Sequence, residues 1–193
     1  MSNERLIDFL KKTNLVSTPT AELIASEFTA RKISANVFFL REGTISNEYI
    51  FLEHGFMRAF VHDIDGNEVT TNFYSGNQLV FEVSSFFNRT KSQENIQAII
   101  DCETWVITYE QLNDLFHSQP EFREFGRSVL VKGFAVFKTR VLSMITETAE
   151  ARYDSLLKNS PEIIQYASLK HIASFLGITD TSLSRIRKNY SRK

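Results

Sequence analysis

A chain of 193 residues, 42% hydrophobic and 23% charged, has the composition of an ordinary globular protein and is long enough to bury a core. No apolar run reaches the roughly 20 residues that a membrane-spanning helix needs. The N-terminal MSNERLIDFLKK lacks the apolar stretch and cleavage site of a signal peptide, and the lone Cys102 can form neither an internal disulfide nor a cysteine set for zinc or an iron-sulfur cluster. The expectation is a cytoplasmic protein with no membrane partner. The net charge of -1 conceals an asymmetry: from Ala151 onward eight Lys and Arg stand against three acids, +5, which leaves -6 on the first 150 residues. A basic segment on an acidic body suits a polyanion met by that segment alone.

In chain order, Pro19 after Ser17-Thr18 marks the first helix start. Gly43, Gly55, Gly66 and Gly76 then recur every ten to twelve residues, separating the runs ANVFFL, EYIFLEH, FMRAFVHD and EVTTNFY. β-branched and aromatic runs broken at that rhythm predict an all-β sandwich or barrel, about eight short strands between Thr29 and Thr108. The last two are expected at Asn95 to Ile100 and Glu103 to Thr108, and DIDGNE, Asp63 to Glu68, carries the Asp-Gly signal of a tight hairpin.

Pro120 opens a long helix expected to run to about Thr148, and Pro161 opens another. The long helix carries one apolar stripe of Leu130, Phe134, Phe137, Val141 and Met144 and a second of Phe122, Phe125, Val129 and Val136, with Leu142 and Ile145 between them. A helix apolar on more than one side must be covered on more than one side. The β-domain can cover one; a second copy of the helix is the simplest cover for the other, giving a parallel, coiled-coil-like homodimer. Cover of both sides within one subunit is the alternative.

After Ser168 two short helices can be read. Ser168 N-caps Leu169 to Leu176, Gly177 supplies a left-handed turn, and Thr179 caps a second helix of about Asp180 to Tyr190. Ile172, Ala173 and Leu176 would pack against Leu183 and Ile186, the spacing of a helix-turn-helix. The outer face of the second helix then presents Thr181, Ser182, Ser184, Arg185 and Lys188. Arg185 suits a base edge, the three hydroxyls a base or phosphate, and Arg187 and Lys188 a phosphate; the capped N-termini at Ser168 and Thr179 offer further phosphate donors. An ordinary pair of packed surface helices is the plainer alternative.

The order of these pieces resembles the Crp/Fnr superfamily, the cyclic-AMP-receptor-like transcription regulators, with local matches at REGTISNEYIFLEHGFMRAF, YSGNQLVFEVSSFF and IASFLGIT...LSRIRK. The resemblance implies an α+β chain: a sensory β-jelly-roll with N-terminal helices over 1-118, a dimerisation helix over 119-148, and an all-α helix-turn-helix domain over 149-193. It implies DNA as partner, a second copy of the chain, RNA polymerase as a further partner, and a nucleotide or other small-molecule effector in place of any fixed cofactor. The implied effector pocket comprises Phe81, Glu82, Val83, Ser84, Arg89, Lys91, Ser92, Gln93, Phe137 and Lys138.

The departures are informative. Phe81-Glu82 stands where cyclic-nucleotide binders have Gly-Glu, and Ser92-Gln93, followed by Glu94, stands where they have the Arg-Ser that neutralises the cyclic phosphate. Arg89 and Lys91 are near enough in sequence to substitute after a loop shift. Phe137 and Lys138 replace the polar pair that touches adenine. Ordinary cyclic-AMP binding is therefore not expected. Only NYSRK follows Lys188, so a full wing is not expected either, with Arg192 and Lys193 a partial replacement. His54, His62, His117 and His171 fall at no metal-ligand spacing, and no nucleophile elbow or phosphate-cradling glycine loop occurs, so neither a metal nor an enzyme is expected. The remaining alternative is a ligand-binding or scaffold module with a vestigial helix-turn-helix.

Overall fold

The computed structural model describes residues 2-190. Two helices, α1 (Glu4–Lys11) and α2 (Thr18–Ser26), lead into β1 (Thr29–Ile33), β2 (Phe38–Leu40), β3 (Glu48–His54), β4 (Phe56–His62), β5 (Glu68–Ser75) and β6 (Gln78–Val80). A short α3 (Val83–Asn88) precedes β7 (Asn95–Ala98) and β8 (Cys102–Thr108). The rest is helical: α4 (Tyr109–Ser118), α5 (Pro120–Thr146), α6 (Ala149–Asn159), α7 (Pro161–Tyr166), α8 (Leu169–Leu176) and α9 (Asp180–Tyr190).

The strands form two four-stranded antiparallel sheets, ordered β1-β8-β3-β6 and β2-β7-β4-β5. The sequence allowed a sandwich or a barrel; the described strands close into no barrel and remain two facing sheets. Strand periodicity explains the layering. Along β3, Ile50 and Leu52 point between the sheets toward Met57, Ala59, Val80, Ile96 and Ala98, while Tyr49 and Phe51 point the other way into a cluster with Leu6, Leu10, Ile24, Phe86, Leu112, Phe122 and Phe125. β3 is therefore buried on both faces, and a layer of helices covers the first sheet. Glu53, on the same side as Phe51, is buried but satisfied by the indole N-H of Trp105, which it accepts at 2.7 Å.

The outer face of the second sheet is covered by the C-terminal helices: Phe56 and Phe73 join Tyr153, Leu156, Ile163, Ile172, Leu176, Leu183 and Ile186 in a third apolar cluster. The expected hairpin joins β4 to β5, with the Asp63 carboxylate accepting the N-H groups of Asp65 and Asn67 and Gly66 at φ +81°. All three prolines lie in the first turn of a helix.

Three helices lay outside the sequence expectation. α4 has a capping box, Thr108 accepting from the N-H of Gln111 while Gln111 returns a bond to the N-H of Thr108. Thr148 caps α6 through the N-H of Ala151, and α3 is too short to show a helical period. The chain leaves α5 through two extended residues, Glu147 and Thr148, before α6 begins.

At the turn between β3 and β4, Gly55 has φ +122°, and a Cβ there would lie 2.5 Å from Cys102 Sγ and 2.8 Å from Cys102 Cα. Gly55→Ala should cost about 2–4 kcal/mol from backbone strain and overpacking together. Urea unfolding followed by the fluorescence of Trp105, the single tryptophan, should show a lower midpoint at unchanged slope.

Candidate functional site

The two short C-terminal helices form as their capping residues require. Ser168 Oγ accepts the N-H of His171 at 3.2 Å and starts α8; Thr179 Oγ1 accepts the N-H of Ser182 at 3.2 Å and starts α9. Between them Gly177 has φ +66°, and the N-H of Ile178 returns to the carbonyl of Ala173 at 3.0 Å. Arg152 of α6 donates to the carbonyl of Leu176 at 3.0 Å and to that of Glu147 at 2.7 Å, satisfying a group that the end of α8 would otherwise leave unpaired. Ile172, Ala173, Leu176, Leu183 and Ile186 are buried.

With those residues inside, Thr181, Ser184, Arg185, Arg187 and Lys188 are exposed along α9, as are the capping residues Ser168 and Thr179. Ser182 is half-buried and accepts a hydrogen bond from the Thr179 hydroxyl at 3.0 Å. Arg185 and Lys188 make no ion pair with another described residue. The result is a solvent-facing strip of cations and hydroxyls on a helix with a rigid inner face, chemistry that suits the edge of a nucleic-acid groove. Arg192 and Lys193 lie outside the described residues.

The pocket residues read from the sequence divide into two groups. Phe81, Val83 and Phe137 line a cavity of about 840 Å³ between α1, β6 and α5. Its other walls include Phe9, Leu79, Phe125, Val129, Leu130 and Phe134, with Asn72, Tyr74 and Gln78 among the polar groups and Lys12 and Lys132 as the charged ones. Phe81 is stacked on Tyr49 with ring centroids 4.5 Å apart.

Glu82, Ser84, Arg89, Lys91, Ser92, Gln93 and Lys138 do not line that cavity. Glu82 caps α3, its two oxygens accepting the N-H groups of Ser84 at 3.0 Å and Ser85 at 2.5 Å. Ser92 is buried, its hydroxyl bonded to the backbone of Glu94, whereas Gln93, Lys91 and Lys138 are exposed. Arg89 is engaged elsewhere: it donates to the carbonyl of Ser46 at 2.8 Å and to Asn47 Oδ1 at 2.5 Å, and lies 4.1 Å over the ring of Tyr109. It ties α3 to the segment before β3, so contact with a ligand phosphate would require breaking those contacts.

Electrostatics near α3 also disfavour an anion. Burial raises the Glu94 carboxyl above its ordinary range, and the charge of Glu82 adds to the effect. Burial likewise pushes the Tyr74 phenol up to about 12, again with Glu94 and Glu82 contributing negative potential.

Two features of the seam between the second sheet and the C-terminal helices α6 to α9, which together form a head, were not singled out from sequence. Arg58 is fully buried, pairs with Glu68 and lies 4.0 Å over the ring of Phe60. Burial opposes ionisation of Glu68, but the bond and charge of Arg58 outweigh it and hold the carboxyl below its usual range. His171 of α8 faces Glu68 at 3.9 Å, its pKa lowered by burial and by the charge of Arg58. The second feature is Arg140 of α5, which touches β5 and α8 at once. An internal arginine has no sequence signature separating it from a solvated one.

Among the described residues no three His, Cys, Asp or Glu are grouped to hold a metal, and no helix is long and apolar enough to cross a membrane.

Residues 30–119 match the cyclic nucleotide-binding domain family, and the arrangement of two facing sheets, a long helix and a terminal helix-turn-helix is shared with solved structures. The structure is similar to that of CLP, the c-di-GMP-responsive global regulator of Xanthomonas campestris, at 16% identity and TM-score 0.71, covering 91% of this chain and 92% of that one. It is similar to a Eubacterium rectale protein assigned to the Crp/Fnr family of transcriptional regulators, at 14% identity and TM-score 0.73, covering 95% and 88%. The catabolite activator protein of Thermus thermophilus aligns at 18% identity and TM-score 0.59, covering 95% and 87%. No curated protein matches by sequence. Identities this low speak for a shared fold.

With Arg89 committed to Ser46, Asn47 and the Tyr109 ring, and with Glu82 and Glu94 both adding negative potential, calorimetric titration with cyclic AMP or cyclic GMP should give no saturable one-site isotherm at micromolar ligand. A tight isotherm would overturn that expectation.

Proposed function

We propose that this chain is a dimeric, DNA-binding transcription regulator whose β-domain senses a small molecule other than an ordinary cyclic nucleotide. The observation that carries this reading is the α8-turn-α9 unit, with both N-caps formed, its apolar inner face buried, and Thr181, Ser184, Arg185 and Lys188 exposed on α9. In it, Arg185 reads a base edge, Thr181, Ser182 and Ser184 adapt to bases or phosphates, and Arg187, Lys188 and the capped N-termini at Ser168 and Thr179 position the phosphates. Residues 1–118 form the sensory part, 119–148 the dimerisation helix and 149–193 the DNA-binding part. The protein acts in the cytoplasm, with RNA polymerase as a further partner at a promoter.

Support for the dimer comes from α5. Phe122 and Phe125 are buried against the first sheet's helical layer, but Phe134, Phe137, Val141 and Met144 are exposed, and so is Val136, which the sequence grouped with the covered stripe. Phe134 and Phe137 are 68% and 63% exposed, an apolar stripe that one subunit leaves uncovered and a second copy of α5 would bury.

Selection from random-sequence DNA should enrich one pseudo-palindromic motif, with half-sites one helical turn or a multiple of it apart. On that motif Arg185→Ala should weaken binding by about 1–3 kcal/mol and relax specificity at one position, whereas Lys188→Ala should weaken binding to all sequences alike. Enrichment of no motif would favour the scaffold reading. Light scattering after size exclusion should give twice the chain mass, and Phe134→Glu with Phe137→Glu should give the monomer mass; a wild-type monomer at micromolar concentration would remove the dimer.

A further inference from the structure

The head meets β5 through a seam that is polar as well as apolar. Ser174 Oγ of α8 lies 3.0 Å from Thr70 Oγ1 and accepts the N-H of Thr70 at 3.2 Å. Beside it, Arg140 reaches across from α5. One of its terminal nitrogens donates to the carbonyl of Thr71 on β5, the other to the carbonyl of Phe175 on α8 at 3.2 Å, and the guanidinium carbon lies 4.0 Å over the Phe175 ring. A single side chain of the long helix therefore joins the sensory sheet to the helix-turn-helix.

Even half-buried, as Arg140 is, a guanidinium is an expensive way to fill space, because desolvation must be offset by charge and by well-placed acceptors. Burial lowers the pKa of Arg140, and the charge of Glu94 opposes that. Glu94 immediately precedes β7 and also feels the charge of Glu82, which caps α3. The planar fork of arginine spans two carbonyls on different elements and stacks on an aromatic ring at the same time, a combination that lysine does not reproduce.

We propose that Arg140 is the positioning residue that fixes the head against the sheet, through its simultaneous hold on the carbonyls of Thr71 and Phe175. The purpose of such a clamp rests on the regulator reading above; its test uses no DNA, so either can fail without the other.

Hydrogen exchange on the full-length protein measures the seam directly. In Arg140→Gln, peptides covering residues 69–73 and 174–178 should exchange at least about tenfold faster than in the wild type, the loss expected for charge-assisted hydrogen bonds. Peptides covering 49–52 and 104–107 should be unchanged. Arg140→Lys should give a smaller acceleration at the same seam. An unchanged seam in Arg140→Gln, or a uniform acceleration across both sheets, would each overturn the proposal. If Arg140→Gln does not fold, Arg140→Lys carries the same test, and an unaltered seam in it overturns the proposal.

Discussion

The long helix α5 is apolar on more sides than its own subunit covers, and much of the molecule is organised around that constraint. Its first turns are buried by Phe122 and Phe125 among α1, α2 and α4. Its middle forms one wall of the large cavity through Val129, Leu130, Phe134 and Phe137. Its later turns carry Arg140, the contact shared by β5 and α8. One element thus touches β5, the cavity and α8 while still presenting an uncovered apolar stripe. A helix in that position cannot tilt or rotate without changing all of those contacts, because packed interfaces switch between arrangements rather than deform continuously.

The chemistry of the β-domain fits poorly with the ligand that its fold would suggest. A cyclic phosphate needs a concentrated positive site, yet the arginine nearest in sequence, Arg89, is committed to Ser46 and Asn47, and the side chains that influence Glu94 include a second carboxylate, Glu82. The cavity itself is walled by phenylalanines and aliphatic groups, with lysines as its charged residues. A shared fold does not carry a shared ligand with it, because recognition depends on the side chains at the site.

The fold was legible in the sequence wherever local chemistry dictates geometry. Strand runs broken by glycines gave the extent of the β-domain, prolines after Thr, Gln and Ser gave three helix starts, and the Ser168, Gly177 and Thr179 triplet gave the helix-turn-helix to the residue. What escaped depends on contacts distant in sequence. Whether eight strands form a barrel or two sheets is decided by pairing across the chain, and α3 is held by the Glu82 cap and by Arg89, not by a periodic pattern. The phenylalanine and lysine at 137 and 138 are adjacent in sequence but project from different sides of a helix, so only Phe137 reaches the cavity. Arg58 and Arg140 look like any surface arginine until the sheet and the head close over them.

The two extended residues that separate α5 from α6, together with the hold of Arg152 on the carbonyls of Glu147 and Leu176, have a geometric consequence. Backbone helical hydrogen bonding is interrupted there, so the orientation of the head is set by side-chain docking and not by continuation of a helix. In a pair of such subunits, the separation and tilt of the two α9 helices would be fixed by residues remote from the exposed face of α9. Substitutions along Thr70, Ser174 and Phe175 would then change the spacing between the two α9 helices while leaving Thr181, Ser184, Arg185 and Lys188 untouched. Under the proposed function, the geometry and the sequence of a DNA target would be able to evolve separately.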